Sequence, residues 1–140
     1  MANYGPADLT IEYDNAAGTL VDITAHVLSL NDVDVENITE EVRPFGASWD
    51  KHLPIGVGRM PVIELGGVFD DTAATGPDAL FAGRVPETPA TTTRSLKFTW
   101  GGSKTTTVET HLLTYRRTVD KNGLTRWLAR LQPTGTVTEA

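Results

Sequence analysis

Apolar and polar residues alternate along several short stretches of this 140-residue chain, and that two-residue period is what most narrows its fold. A period of two is the signature of a half-buried β-strand, whose successive side chains point to opposite faces. Leu9, Ile11 and Tyr13 alternate with Thr10, Glu12 and Asp14, and Asn15 to Gly18 supplies a turn. Val21, Ile23, Ala25 and Val27 form one face of a second expected strand, with Asp22, Thr24 and His26 on the other. The phase slips near Leu28 to Leu30, as a bulge or bend would make it. Val33 and Val35 alternate with Asp32, Asp34 and Glu36, which predicts a further strand with one acidic face. Val62, Ile63, Leu65, Val68 and Phe69 read as a buried strand carrying a Gly66-Gly67 irregularity. Leu96, Phe98 and Trp100 alternate with Lys97 and Thr99, and Gly101-Gly102 offers a tight hairpin turn. Thr105 to Val119 is a long strand, and Asp120-Lys121-Asn122-Gly123 is the clearest hairpin signal in the chain. Leu124 to Leu131 fits either a helical or a strand face; the preceding Asn-Gly and the following Pro133 favour the strand.

Two segments break the alternation. Residues 43–61 carry three prolines and three glycines, which predicts a long loop of about 43–61 rather than a continuous element. Phe45, Trp49, Leu53, Ile55 and Met60 nevertheless lie within it, so this loop must cover an apolar surface, its own or a neighbour's. Arg43 and Lys51 add positive charge to the same segment. Helix signals cluster at about 75–83: Thr75 as cap, Pro77 in the first turn, Asp78 as a capping-box-like partner, and Gly83 as stop. A helix this short persists only by docking Leu80 and Phe81 onto a sheet. Residues 84–93 read as a crossover loop. The expectation is a mainly β, single domain over 1–140: an antiparallel β-sandwich or barrel with one short α-helix packed on it.

Composition agrees and excludes much else. Twenty-one threonines favour pleated surfaces. Cysteine is absent, which removes disulfides and thiolate metal sites. The N-terminal residues lack a charged region followed by an apolar stretch, so no signal peptide is expected, and no apolar run is long enough for a membrane anchor. The net charge of −6 conceals a split. Residues 1–80 hold fourteen acids and three bases, whereas residues 81–140 hold four acids and nine bases. One half of the chain is an electrostatic partner for the other, within a molecule or between copies.

Enzymatic signatures are missing. Asp32-x-Asp34-x-Glu36 starts like a calcium loop, but Asn37 stands where the turn needs glycine and Arg43 where the last carboxylate belongs. His26, His52 and His111 have no ligand spacing. Gly56-x-Gly58 lacks the third glycine of a dinucleotide loop, and Ser48 has no nucleophile-elbow context. The expectation is a protein without catalytic, cofactor-binding or metal-binding residues. Trp100 and Trp127 leave open a carbohydrate-binding β-sandwich, which would need both exposed on a strand face.

Thr39, Phe45-Gly46, Trp49, Leu53-Pro54 with Gly56, Ile63-x-Leu65-x-Gly67-x-Phe69-Asp70-Asp71 and Pro77-Asp78-Ala79-Leu80-Phe81 resemble the tail-tube (major tail) proteins of non-contractile long-tailed bacteriophages and related gene-transfer particles. Trp127-x-Ala129-x-Leu131 with Thr134-Gly135 resembles the last strand of that family. The resemblance implies a structural virion protein, assembled in a bacterial cytoplasm. Its copies would form six-membered rings stacked into a hollow tube. Its partners would be itself and the tape-measure and tail-terminator proteins, with double-stranded DNA passing as unbound cargo. The loop at 43–61 would reach an adjacent subunit or ring through Arg43, Phe45, Trp49, Lys51, Leu53, Ile55 and Met60, and Asp32, Asp34 and Glu36 are candidates for the wall of an acidic lumen. A tail terminator or neck ring protein is the alternative within the same particle.

Overall fold

The computed structural model describes the chain apart from residues 1–2, 44, 47, 50, 86–92 and 120, and apart from the side chains of residues 54–57. The strands are β1 (Thr10–Asp14), β2 (Leu20–Asp22), β3 (Ser29–Leu30), β4 (Glu36–Val42), β5 (Lys51–Arg59), β6 (Ile63–Val68), β7 (Arg94–Gly101), β8 (Lys104–Thr118) and β9 (Arg126–Glu139). One helix, α1 (Pro77–Phe81), lies between β6 and β7. Seven strands form one antiparallel sheet in the order β2-β1-β7-β8-β9-β6-β3, curled into a half-barrel, and β4 and β5 pair separately as a two-stranded ribbon. The expected sandwich-or-barrel class is thus realised on the barrel side, with α1 packed against the curled sheet.

The two-residue period accounts for the core. Ile11 and Tyr13 of β1, Leu96 and Phe98 of β7, Val108 and Leu112 of β8, Trp127, Ala129 and Leu131 of β9, and Ile63 and Leu65 of β6 are all buried in one cluster. Leu80 and Phe81 of α1 close it. The Phe81 ring lies 4.9 Å from Tyr13, 5.6 Å from Trp127 and 5.9 Å from Tyr115, so one side chain joins the helix to three strands. Segment 124–131 is strand: β9 pairs with β8 from Arg126 onward and continues through Pro133 to Glu139.

Several local expectations are corrected, each for a visible reason. The second strand stops at Asp22 instead of running to Val27, and Thr24–His26 is a 3-10 turn. The Asp22 carboxylate accepts from the Thr24 amide at 2.9 Å and its hydroxyl at 2.6 Å, an Asx turn that competes with the ladder. Gly66 and Gly67 sit in regular pairing with Leu128 and Trp127. Gly67 is there for space, because a Cβ on it would lie 2.0 Å from the carbonyl oxygen of His26. Gly76, not Thr75, is the N-cap of α1, and it makes no side-chain cap bond. The helix is one turn, ended as expected before Gly83, which has φ 75°. Arg84 is no part of a free linker: it is buried and donates to the Tyr13 hydroxyl and the Leu80 carbonyl. The remainder of the expected crossover loop, 86–92, lies outside the described residues.

Candidate assembly surface

Residues 43–61 are not one continuous loop: Lys51–Arg59 is strand, and no described residue between Val42 and Lys51 is. They contribute the tip and the returning strand of an arm, the β4–β5 ribbon, which stands apart from the main sheet. In a two-stranded ribbon each strand is an edge, so Pro54 is tolerated within β5 where a central strand would exclude it. The register breaks next to that proline: Asn37 pairs with Gly58 but Thr39 with Pro54. At the base the Arg59 guanidinium Nε donates to Glu36 at 2.9 Å. Just before the arm, the Asn31 side chain donates to the Val62 carbonyl at 2.8 Å and accepts from the Glu64 amide at 2.9 Å, clamping the exit to the return.

The interface candidates divide along this arm. Phe45 at the tip is fully exposed, Trp49 is 83% exposed, and Leu53 and Val42 are exposed on the ribbon. Arg43 and Lys51 are exposed beside them. Met60 is different: it is 5% exposed and belongs to the subunit's own core, because the chain re-enters the sheet there. The Ile55 side chain lies outside the described set.

The acidic segment is also rearranged. Residues 31–35 form no strand, so Asp32 and Asp34 precede the ribbon as exposed residues, and Glu36 opens β4 paired to Arg59. The three carboxylates do not share a strand face. The basic half of the chain is ordered more regularly. Arg116, Arg126 and Arg130 are exposed on the sheet face opposite the core, around Leu128, which pairs with Arg116. Arg117 points the other way, donating to Asp78 from Nε at 3.0 Å and from NH2 at 2.6 Å. Asp78 also accepts from the Tyr115 hydroxyl at 3.0 Å, so its role is to moor α1 to β8 rather than to cap the helix. Burial first, and the Asp78 hydrogen bond second, push the Tyr115 phenol up to about 12. The opposed charges of the two halves are in this case satisfied within one molecule.

A second feature escapes sequence reading. β6 pairs with β9 only as far as Ile63 and Leu131, so beyond Leu131 no described strand flanks β9 on that side. Between that open edge and the base of the arm lies a cleft of about 810 Å³. Its apolar lining includes Val35, Met60, Pro61, Val62, Pro133 and Val137. β9 bulges along it: Glu109 pairs with Thr134 but Thr107 with Thr138, and Gly135 within the bulge has φ 77°. Only the pairing partners reveal this edge, which a single strand's pattern does not carry.

Among the described residues no three His, Asp or Glu side chains converge as a metal site, and no helix is long and apolar enough to cross a membrane. His26 faces Asp70 at 3.5 Å. Asp70 accepts from the Thr72 hydroxyl and amide, which hold its carboxyl below the usual carboxylate value. Trp127 is 2% exposed, and Trp100 stacks on Phe98 at 5.3 Å and donates Nε1 to the Thr106 hydroxyl at 2.8 Å. Neither offers the exposed ring a sugar would stack on.

No protein-family model matches the chain, and no curated protein matches it in sequence. Solved structures do. A chain from the tail of an empty gene transfer agent particle, determined with C6 symmetry, superposes with a TM-score of 0.72 at 20% identity, covering 99% of each chain. A chain of the anti-feeding prophage baseplate gives 0.72 at 11% identity over 100% of this chain and 95% of that one. A chain of the sheath/tube terminator of an extracellular contractile injection system gives 0.68 at 11% identity, over 100% and 98%. Over essentially its whole length, the chain has the fold of subunits found in phage-like tails and baseplates.

Proposed function

We propose that this chain is a structural subunit of a hollow tail tube, in which rings of six copies stack and double-stranded DNA passes without being bound. The observation that carries the reading is the arm: a ribbon detached from the sheet with Phe45, Trp49 and Leu53 exposed, on a fold shared with a chain of a six-fold symmetric tail. An isolated soluble subunit gains nothing from presenting such groups at the end of a lever; an assembling one does. Six-fold rings and stacking follow the C6 tail that this fold resembles. The role is architectural, with no catalytic step and no cofactor, and its location is the tail of a virion assembled in the host cytoplasm. Tape-measure and terminator proteins are its expected further partners.

In this reading Asp32 and Asp34, exposed ahead of the arm, belong to the wall of the bore, and repulsion keeps the DNA mobile. A second reading has one specific support, the likeness to a sheath/tube terminator. A terminator makes a single capping ring. Negative-stain electron microscopy of the concentrated protein separates the readings: stacked tubes support the first, isolated rings the second. A protein that stays monomeric when concentrated, and is absent from tails in particles, refutes both.

A further inference from the structure

We infer that Asn122 is a self-modification site, where the backbone nitrogen of Gly123 attacks the Asn122 side chain and turns it into aspartate and isoaspartate. The change needs only water as co-reactant and does not depend on the protein being a tube subunit.

Asn122-Gly123 is the one Asn-Gly pair in the chain. As the centre of a two-residue type I′ hairpin turn, the pair would need positive φ at both residues. Neither residue has it. β8 ends at Thr118 and β9 begins at Arg126, so Asn122 and Gly123 lie on the connection between them, outside the ladder, and both are exposed. The dipeptide is therefore not used for the tight turn that its sequence encodes, and the bond between the two residues is open to solvent chemistry.

The structure sets this asparagine apart from the other four. The Asn15 side-chain oxygen accepts from the amides of Ala17 at 2.9 Å and Thr19 at 3.0 Å. Asn31 is held at both ends of its amide, by the Val62 carbonyl and the Glu64 N–H. Tied in this way, neither side chain can swing its Cγ onto the nitrogen that follows it. Asn37 lies inside β4 and precedes Ile38, whose branched side chain crowds that nitrogen. Asn3 precedes Tyr4, whose ring is packed on the β7–β8 turn, 2.6 Å from where a Cβ on Gly101 would stand. After Asn122 comes a residue with no side chain, which lets the backbone nitrogen approach.

The step balances without an oxidant or reductant. The Gly123 nitrogen bonds to Asn122 Cγ, the Cγ–Nδ2 bond breaks, and the amide group leaves as ammonia with the proton that the nitrogen gave up. Water then opens the five-membered ring. Cleavage at Cγ gives aspartate, and cleavage at the main-chain carbonyl gives isoaspartate, in which the chain runs through the side-chain carbon. Either product adds a carboxylate, so residues 81–140 then hold five acids against nine bases in place of four against nine. The new charge follows directly on Lys121, and the ladder and core keep their contacts because the site lies outside both.

Full-length protein is incubated at mildly alkaline pH beside a synthetic peptide of residues 119–125 in the same buffer. Peptide-mapping mass spectrometry and enzymatic isoaspartate labelling follow both. Asn122 should convert at a rate within a few-fold of the peptide's, since exposed loops open at almost no cost, while Asn15 and Asn31 stay intact. Conversion slower than the peptide's by more than about tenfold, equivalent to about 1.4 kcal/mol of protection, overturns the proposal. So does conversion of Asn15 or Asn31 ahead of Asn122. Gly123→Ala should lose the reaction over the same incubation, and conversion at the wild-type rate refutes attack by this nitrogen. Asn122→Asp should melt as the wild type does, and a lowered melting temperature contradicts a site outside the ladder and core.

Discussion

Phe81 and Trp49 are both large aromatics in the middle of the chain, yet the structure gives their removal opposite consequences. Phe81 is fully buried and its ring meets Tyr13, Trp127 and Tyr115. Burying a phenylalanine removes about 150–250 Å² from water, which at ~25 cal/mol per Å² is worth ~4–6 kcal/mol as an upper bound. Measured truncations of buried phenylalanines to alanine cost ~3–5 kcal/mol, so Phe81→Ala is expected to cost about 4 kcal/mol. A one-turn helix has no stability of its own, and only Pro77, Leu80 and the Asp78 bonds to Tyr115 and Arg117 would then hold α1 on the sheet. In a chain of this size the loss lowers the melting temperature by roughly 10–15 °C. Trp49→Ala leaves the monomer within about 0.5 kcal/mol of wild type, because the side chain touches little in one copy. The assay is urea unfolding at a concentration where the protein is monomeric, with equal m-values required before midpoints are compared. A Trp49→Ala cost similar to that of Phe81→Ala would mean the arm folds back into the core, and the assignment of fold and assembly to separate aromatics would be wrong. A Phe81→Ala cost under ~1.5 kcal/mol would refute the docking of α1 as described.

The remaining expectations are simpler. Gly67→Ala should prevent normal folding or lower the melting temperature sharply, since the new methyl meets the His26 carbonyl; a wild-type melt refutes the close crossing of these chains. Tyr115 has a raised pKa in the folded state, so its contribution is complete below the unfolded value near 10 and is lost as the pH rises through about 12. Alkaline unfolding followed with phenolate absorbance should show that loss, and Asp78→Asn should move Tyr115 ionisation to lower pH. No difference between wild type and Asp78→Asn would exclude the Asp78 bond as a cause. Wild-type protein should show no measurable affinity for duplex DNA even at low salt, where phosphate contacts are strongest; tight binding overturns the passive conduit. Asp32→Lys/Asp34→Lys should leave tubes intact but slow DNA ejection, and unchanged ejection places these residues outside the bore.

How much of this was legible depends on what each signal reports. Alternation reports burial on one face, and it located β1 and β7 with their buried residues Ile11, Tyr13, Leu96 and Phe98. It fails where side chains bond the backbone locally, as Asp22 does with Thr24. Proline and glycine content reported that 43–61 is not a central strand, but it cannot distinguish a loop from a ribbon made of two edges. Met60 shows the same limit from the other side: apolar character alone does not say whether the partner is the subunit's own core or another surface. The mooring of Asp78 by Tyr115 and Arg117, and the open edge of β9, depend on residues distant in the chain, and no local pattern encodes them.

The arm also bears on how such a chain changes over generations. β3 and β6 are hydrogen-bonded neighbours, and Asn31 is tied to Val62 and Glu64, so the whole excursion between them begins and ends at one place in the sheet. Topologically it is an insertion. Shortening or lengthening the ribbon by matched pairs of residues leaves the ladder of the half-barrel untouched, since β6 takes its register from β9 and β3. On the assembly reading proposed above, substitutions in the arm are screened by assembly and hardly at all by folding. On that reading two lineages with the same sheet diverge in the arm until their subunits no longer mix, and grafting one arm onto the other sheet should transfer that choice of company.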